Sequence, residues 1–462
     1  MSGDAPRGRR DLRSGSIPRR LVELSAPMLL GIVAIMAFNL VDTFYVSRLG
    51  TLQLAAISFT FPVVVLVGGL TLGLGVGLTA IVSQEIGAGQ LERVRQFTRD
   101  GLLLALLVVA VFSAAGLSTL DAVFRALGAD AATLPLVREY MHVWYAGVLF
   151  LVVPMVGNGA IRATGDTRSP ALIMSAAALS NVILDPIFIF GWGPVPAMGL
   201  EGAALASVIS RATTLVMSLW ILIRRERLVA LGVPSLGPML RRWGSILVVG
   251  APAAATNVLA PVSLGLLTRL VAGHGTAAVA GFGAGGRVQQ LAMVAPIAWS
   301  SGLTPFVGQN WGAGLGERVR LALRFSRRMV LLGGVLSYAV VALAAVPLSG
   351  LFTREPEARR AMVDFLRLGL WGFPFVGMIM LATAALNALR RPLPAAVLNL
   401  LRLFGFLLPL AYAGSALLGL RGVYLSMGAA NLLAGLIAWR WLTPIGGPKD
   451  QPISRVPAPP AG

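Results

Sequence analysis

Two carboxylates stand where apolar sequence ought to exclude them: Asp42 in FNLVDTFYV and Asp185 in SNVILDPIFIF. Translocon scales put an ionised residue at mid-membrane at a cost of about 2.5–3.5 kcal/mol, so acids kept there point to an ion path rather than to packing. Asn39 lies three residues before Asp42 and Asn181 four before Asp185, a spacing that gives each acid an amide on its own helix face. Counted from the ends of their apolar runs, both acids sit at one depth, about six residues or roughly 9 Å below the outer face. Ser207 reaches a similar level on the run that follows. Carboxyls, amides and a hydroxyl at matching depth make an oxygen-rich cluster suited to H⁺ or Na⁺. Asn158 is a further polar candidate for cargo, beside Asn39, although it falls near the inner end of its run. Two prolines bear on movement: Pro186 frees the carbonyl of Val182, and Pro27 offers a bend in the first helix.

The elements that must hold these residues follow from composition. Of the 462 residues, 56% are apolar and 12% charged, and the mean hydropathy is +0.80. A soluble domain carries about 25% charged residues, so a water-surrounded globule is excluded. Apolar runs of about 20 residues predict twelve spans. In the first half they cover 21–46, 54–83, 100–119, 138–161, 170–190 and 199–222; in the second, 244–270, 277–308, 329–350, 362–387, 395–415 and 421–442. The runs lack the alternation of a lipid-facing barrel, so their backbones must close as helices. No Cys and two His remove disulfides, thiolate chemistry and a His-based metal centre. No catalytic residue and no cofactor is expected beyond a coupling ion, H⁺ or Na⁺.

The net charge of +19 would suit nucleic acid, but the 38 basic residues are spread by topology. With the N-terminus inside, 26 of those 38 fall in inner segments, the asymmetry of a protein with both termini in the cytoplasm. The expected setting is therefore the cytoplasmic membrane, crossed many times, with membrane lipids as neighbours and no nucleic-acid partner. Arg9-Arg10 resembles a twin-arginine signal, yet no cleavage site follows, and an anchoring inside segment is the better reading.

Residues 77–95, GLTAIVSQEIGAGQLERVR, align without gaps to 302–320, GLTPFVGQNWGAGLGERVR, with twelve of nineteen positions identical at an offset of 225. Both copies leave an even-numbered span for an inner loop, so the halves are parallel repeats. The expected fold is an all-α membrane protein, twelve transmembrane helices in two parallel-repeat six-helix lobes, which is a transporter plan. Its parts are a basic N-terminal tail (1–20), an N-lobe (21–223), an inter-lobe linker (224–243), a C-lobe (244–443) and a disordered C-terminal tail (444–462). The C-lobe offers no acids to match this pair; its buried polar residues, among them Asn387, Asn399 and Asn431, read as interhelical glue. Coupling therefore belongs to the N-lobe.

Asn39-Leu40-Val41-Asp42, the GLTAIVSQEIGAG loop with its repeat copy, Gly165-Asp166, and the run from Asn181 to Pro186 together resemble the multidrug and toxic compound extrusion (MATE) family, over residues 20–442. The acid pair is most similar to its DNA-damage-inducible branch. The resemblance implies rocker-type alternating access and efflux of amphipathic, often cationic, drug-like small molecules in exchange for H⁺ or Na⁺, by a monomer that is not an enzyme. It implies a cation site at Asp42, Asn181, Asp185 and Ser207, the last standing where a Thr is usual, and a bend at Pro27. The acid that other branches carry early in span seven is missing from 251–257. A lipid-linked glycan flippase is the nearest alternative, but it would want a larger, basic central cavity, and only Arg211, Arg287 and Arg402 are available within spans. A membrane-embedded transferase would need clustered acids or a His-based centre, and the chain has neither.

Overall fold

The computed structural model describes residues 11–447 and 450. Among them there is no strand, only an isolated bridge between Trp192 and Val195. The helices are α1 (Ile17–Ser47), α2 (Thr51–Gly87), α3 (Leu91–Ala126), a bent α4 (Leu134–Gly147 and Leu149–Ala163), α5 (Arg168–Phe190) and α6 (Gly199–Arg225). The second half repeats the series with α7 (Leu236–Ala272), α8 (Thr276–Gly312), α9 (Gly316–Leu343) and a bent α10 (Pro356–Gly369 and Phe373–Ala388). The last helical stretch, Pro392–Leu442, is 51 residues long and is divided at Gly419 into α11 and α12. Gly419 has φ 61° and ψ −143°, a conformation open to a residue without Cβ. Nine described helices are long and apolar enough to span a bilayer, and each bent pair adds one more. With the long stretch cut at its glycine the total is twelve, and the chain is a multi-pass helical membrane protein.

Each half bends its fourth span, by 42° between the arms of α4 and by 57° between those of α10. The repeated motif ends α2 and α8 in the same way. Gly89 and Gly314 take φ of 73° and 77°, and the following amides of Gln90 and Leu315 close on Glu85 O at 2.9 Å and Asn310 O at 2.8 Å. These are the left-handed caps that spare a helix its last orphan carbonyls, and they explain why GAG survives in both copies.

The described residues resolve into two compact units, 26–254 with Asp11, and 255–447 and 450 with 12–25. This differs from the expected lobes in three ways. The N-terminal segment is not all tail, because α1 opens at Ile17 and Leu12 is fully buried with Leu21 and Leu24 in a core that includes Leu303 and Phe306. The first turns of α1 thus belong to the second unit, where Gly302 allows the approach: a Cβ there would meet Ser25 Oγ at 2.7 Å. The linker is also shorter, since α6 runs to Arg225 and α7 already begins at Leu236. The charged turn does not stop the helix, since Arg241 stays exposed and Arg242 finds partners on α3. Arg242 pairs with Asp100, and Trp243 Nε1 donates to the Asp100 carbonyl at 2.7 Å. Finally, α7 stays with the first unit as far as Ala254. Gly73 and Gly77 of α2 make that possible, for a Cβ on either would lie 2.5 Å from α7 backbone. The C-terminal tail expected over 444–462 lies outside the described residues beyond 447, apart from Asp450, and so does the tail before residue 11.

The core of the first unit gathers Trp144, Phe124, Met141 and Ile161 from α3 and α4 around α2. In the second unit one cluster surrounds Phe306 and Met378, and another joins Phe282, Phe365 and Tyr424, whose rings meet edge to face or stacked at 5.3–6.4 Å. Such aromatic contacts stabilise beyond the area they bury.

Candidate functional site: a carboxyl pair in the N-lobe

Asp42 and Asp185 each stand five residues before the last residue of their helices, α1 and α5. The two carboxyls come within hydrogen-bonding reach of one another. Asp185 is fully buried and Asp42 half-buried. Neither Asp185 oxygen is hydrogen-bonded by a described residue, and the Asn181 side chain lies within reach of that carboxyl. One turn away on α5, Asn181 is 1% exposed and donates its amide to Ser207 Oγ of α6 at 3.4 Å. Its own carbonyl oxygen is also buried and unpartnered. Four of the expected residues, Asp42, Asn181, Asp185 and Ser207, are therefore brought together.

Buried polar atoms without partners are costly, and folded chains retain few of them. Here Asp185 and Asn181 contribute three such oxygens, beside the Asn181 amide nitrogen and the Ser207 hydroxyl. That donor set fits a proton shared between carboxyls, or a hard monovalent cation taking carboxylate, amide and hydroxyl oxygens. Among the described residues no three His, Cys, Asp or Glu side chains gather as a metal cluster, so the oxygens here are a mixed set rather than a multi-carboxylate cage.

The other two polar expectations fall elsewhere. Asn39 is exposed and its side chain makes no hydrogen bond within the protein; only its backbone oxygen is used, by Thr43 Oγ1 at 2.8 Å. Asn158 is 8% exposed in the second arm of α4, its carbonyl oxygen buried without a partner. The neighbouring Gly159 packs tightly on Gly75 and Thr79 of α2, and Gly157 on Ser218 and Leu222 of α6.

Two residues join the pair that spacing alone did not assign to it. Arg211 of α6, one turn beyond Ser207 and on the same face, exerts its positive field on Asp42, and its Nη1 is buried without a partner. Tyr140 of α4 lies in the field of Asp42, Asp185 and Arg211 alike. The signal for Arg211 was present, a cation inside an apolar run four residues from a site hydroxyl. Tyr140 carries no comparable mark.

The second unit holds no such acids. Its intramembrane cation Arg402, in the wound stretch Leu401–Leu407 of α11, donates Nε to Asn431 of α12 at 2.9 Å. Asn399 joins α11 to α10 through Thr383 at 2.9 Å. Both are interhelical hydrogen bonds of the structural kind. The acid inside α10, Asp364, is paired with Arg421 at 2.9 Å.

Residues 27–187 and 252–413 each match the MatE family model. The chain belongs to the MATE family. The two matches begin at Pro27 and Pro252, 225 positions apart, the same offset as the sequence repeat. Among MATE relatives, the FAD transporter of Shewanella oneidensis is 38% identical, over 93% of this chain and 95% of that protein. The multidrug export protein MepA of Staphylococcus aureus is 24% identical, over 91% of this chain and 92% of its own length. A crystal structure of the Vibrio cholerae MATE transporter VcmN in the bent form superposes with a TM-score of 0.87 at 29% identity, covering 92% of this chain and 96% of that one. MATE proteins are membrane transporters, not enzymes.

Proposed function

We propose that this MATE transporter is a secondary active exporter in the cytoplasmic membrane. It exchanges H⁺ or Na⁺ taken up at Asp42 and Asp185 for an amphipathic organic cargo. The observation that carries the reading is the carboxyl pair, with Asp185 fully buried and neither of its oxygens hydrogen-bonded by a described residue, since such a pair needs a small cation to be at rest. When the site faces outward, the ion neutralises it. Neutrality lets α1 repack, bending at Pro27, and the cargo leaves as the ion binds. The exchange then returns the ion inward with the site. Each charge moved is worth about 2.3 kcal/mol per 100 mV and each pH unit about 1.4 kcal/mol, so one ion supports at least a tenfold cargo gradient.

For the cargo, a flavin dinucleotide is the first choice. The relative named as an FAD transporter shares 38% of its residues with this chain across nearly the full length of both. The second reading, export of cationic drugs, rests on the relatives named for multidrug resistance at 24–26% identity. Inverted vesicles containing the purified protein separate them. Uptake of FAD and of ethidium is followed first under a pH gradient and then under a Na⁺ gradient. Gradient-dependent FAD uptake that is lost in Asp42→Asn is expected; ethidium uptake alone would favour the second reading, and uptake of either that is unchanged in Asp42→Asn overturns the coupling site.

A further inference from the structure

The C-lobe carries a second built feature, remote in sequence from the acid pair. The turn after α10, the start of α11 and the end of α12 line an open surface pocket of about 540 Å³. Its wall is apolar, with Leu393 and Val397 69% and 44% exposed, so these side chains face whatever surrounds the bundle. Its rim holds two guanidiniums, Arg391 and Arg440, and the indole of Trp441. Arg391 is held in place by Asp450, which accepts from Nη2 at 2.6 Å, and lies 5.7 Å over Trp311. Arg440 is exposed and no acid of the described residues pairs with it. Beside it, Arg327 donates to Thr443 Oγ1 at 3.1 Å and stacks on Trp439 at 4.8 Å. The positive charge at this end of α12 is thus fixed in position and only partly neutralised.

A soluble anion would be served by the arginines alone and gains nothing from exposed leucine and valine below them. A neutral lipid would use the wall and ignore the charges. Apolar wall, interfacial Trp and a basic rim together describe one class of ligand, since basic pockets between transmembrane helices take anionic headgroups and Trp marks the headgroup level. We propose that this pocket binds an anionic phospholipid, its phosphate at Arg440 and Arg391 and one acyl chain along Leu393 and Val397. Asp450 limits the charge that Arg391 offers, so Arg440 is the main anchor.

The test is lipid retention by the full-length protein, read by native mass spectrometry after reconstitution in phosphatidylcholine nanodiscs doped with phosphatidylglycerol. The wild type should retain phosphatidylglycerol in preference to phosphatidylcholine. Arg440→Gln should lower that retention about fivefold, the weight of one basic residue near an anionic lipid, while Arg440→Lys keeps most of it and Arg125→Gln, at a remote helix end, leaves it unchanged. Equal retention of the two lipids by the wild type, or an Arg440→Gln protein indistinguishable from wild type, overturns the proposal. Displacement of the lipid by excess inorganic phosphate also overturns it, in favour of a soluble-anion site. Because the readout is binding and not flux, its outcome is independent of whether the exporter reading holds.

Discussion

The two lobes descend from one plan and have parted where charge is concerned. In the first, α1, α5 and α6 bring two carboxyls, an amide, a hydroxyl and the cation Arg211 into one neighbourhood. In the second, the interior charge near the corresponding helices is Arg402, quieted by the amide of Asn431. The same helical frame therefore supports an unsatisfied oxygen cluster in one copy and a closed hydrogen bond in the other. Unsatisfied groups are retained at a cost to stability, and a duplicated fold needs that cost in one lobe only if one lobe alone handles the ion.

The sharpest way to break this contrast is to neutralise the pair. Asp42→Asn or Asp185→Asn should reduce gradient-driven export to the uncoupled background, with the fold kept, because an amide satisfies the same space without an ion. Flux in vesicles with and without a gradient, alongside circular dichroism and thermal unfolding, checks it; coupled flux that persists in both variants removes the N-lobe from the mechanism. Next in size is Arg211→Gln. Taking away a fixed positive charge beside two carboxyls should tighten the hold on the coupling cation roughly tenfold and slow its release. Turnover then falls while cation affinity rises, a split that simple unfolding does not produce. Smaller again is Arg402→Met, which should leave ion affinity alone and cost about 1 kcal/mol of stability by stranding the Asn431 oxygen, read by thermal unfolding beside the flux assay.

How far the sequence carries this contrast depends on which kind of signal each residue emits. Asp42 and Asp185 are legible because a charge inside an apolar run is expensive wherever the run packs, and Asn181 follows from helical spacing. Asn39 fails by the same rule: three residues place it near the face of Asp42, but which flank of that face meets α5 and α6 is a tertiary fact, and the structure leaves Asn39 exposed. Arg211 could be counted but not paired, since its partners come from other helices. The seam between the units was hidden for a related reason. Ser25 and Ala26 are consecutive residues of one helix, and Ala254 and Ala255 of another, and hydropathy does not change across either junction. What marks both places in the sequence is Pro27 and Pro252, the equivalent prolines at which the two family matches begin. Span limits erred by several residues because helices such as α3 (Leu91–Ala126) continue through charged turns that an apolar count discards.

The smallest predicted effects sit in the repeated motif and sharpen the comparison most directly, because the two copies differ there by single residues. Arg93 and Arg318 are equivalent. Arg93 meets the carboxylate of Glu85 at 3.3 Å, whereas Arg318 donates to the neutral Asn310 Oδ1 at 3.0 Å and has its other nitrogens on the carbonyls of Leu12, Ser14 and Gly15, at 3.2–3.4 Å. Replacing Glu by Asn in the second copy left an uncompensated guanidinium, and the N-terminal segment supplies its acceptors. Arg318→Ala should therefore cost about 1–2 kcal/mol by stranding several acceptors and should expose the segment around Leu12 to limited proteolysis. Arg93→Ala removes a pair whose arginine is 44% exposed, so after solvent screening it should cost about 0.5 kcal/mol or less and leave proteolysis unchanged. Equal unfolding midpoints and equal cleavage rates for the two variants would mean that the N-terminal segment is held by Leu12 burial alone, with Arg318 an onlooker.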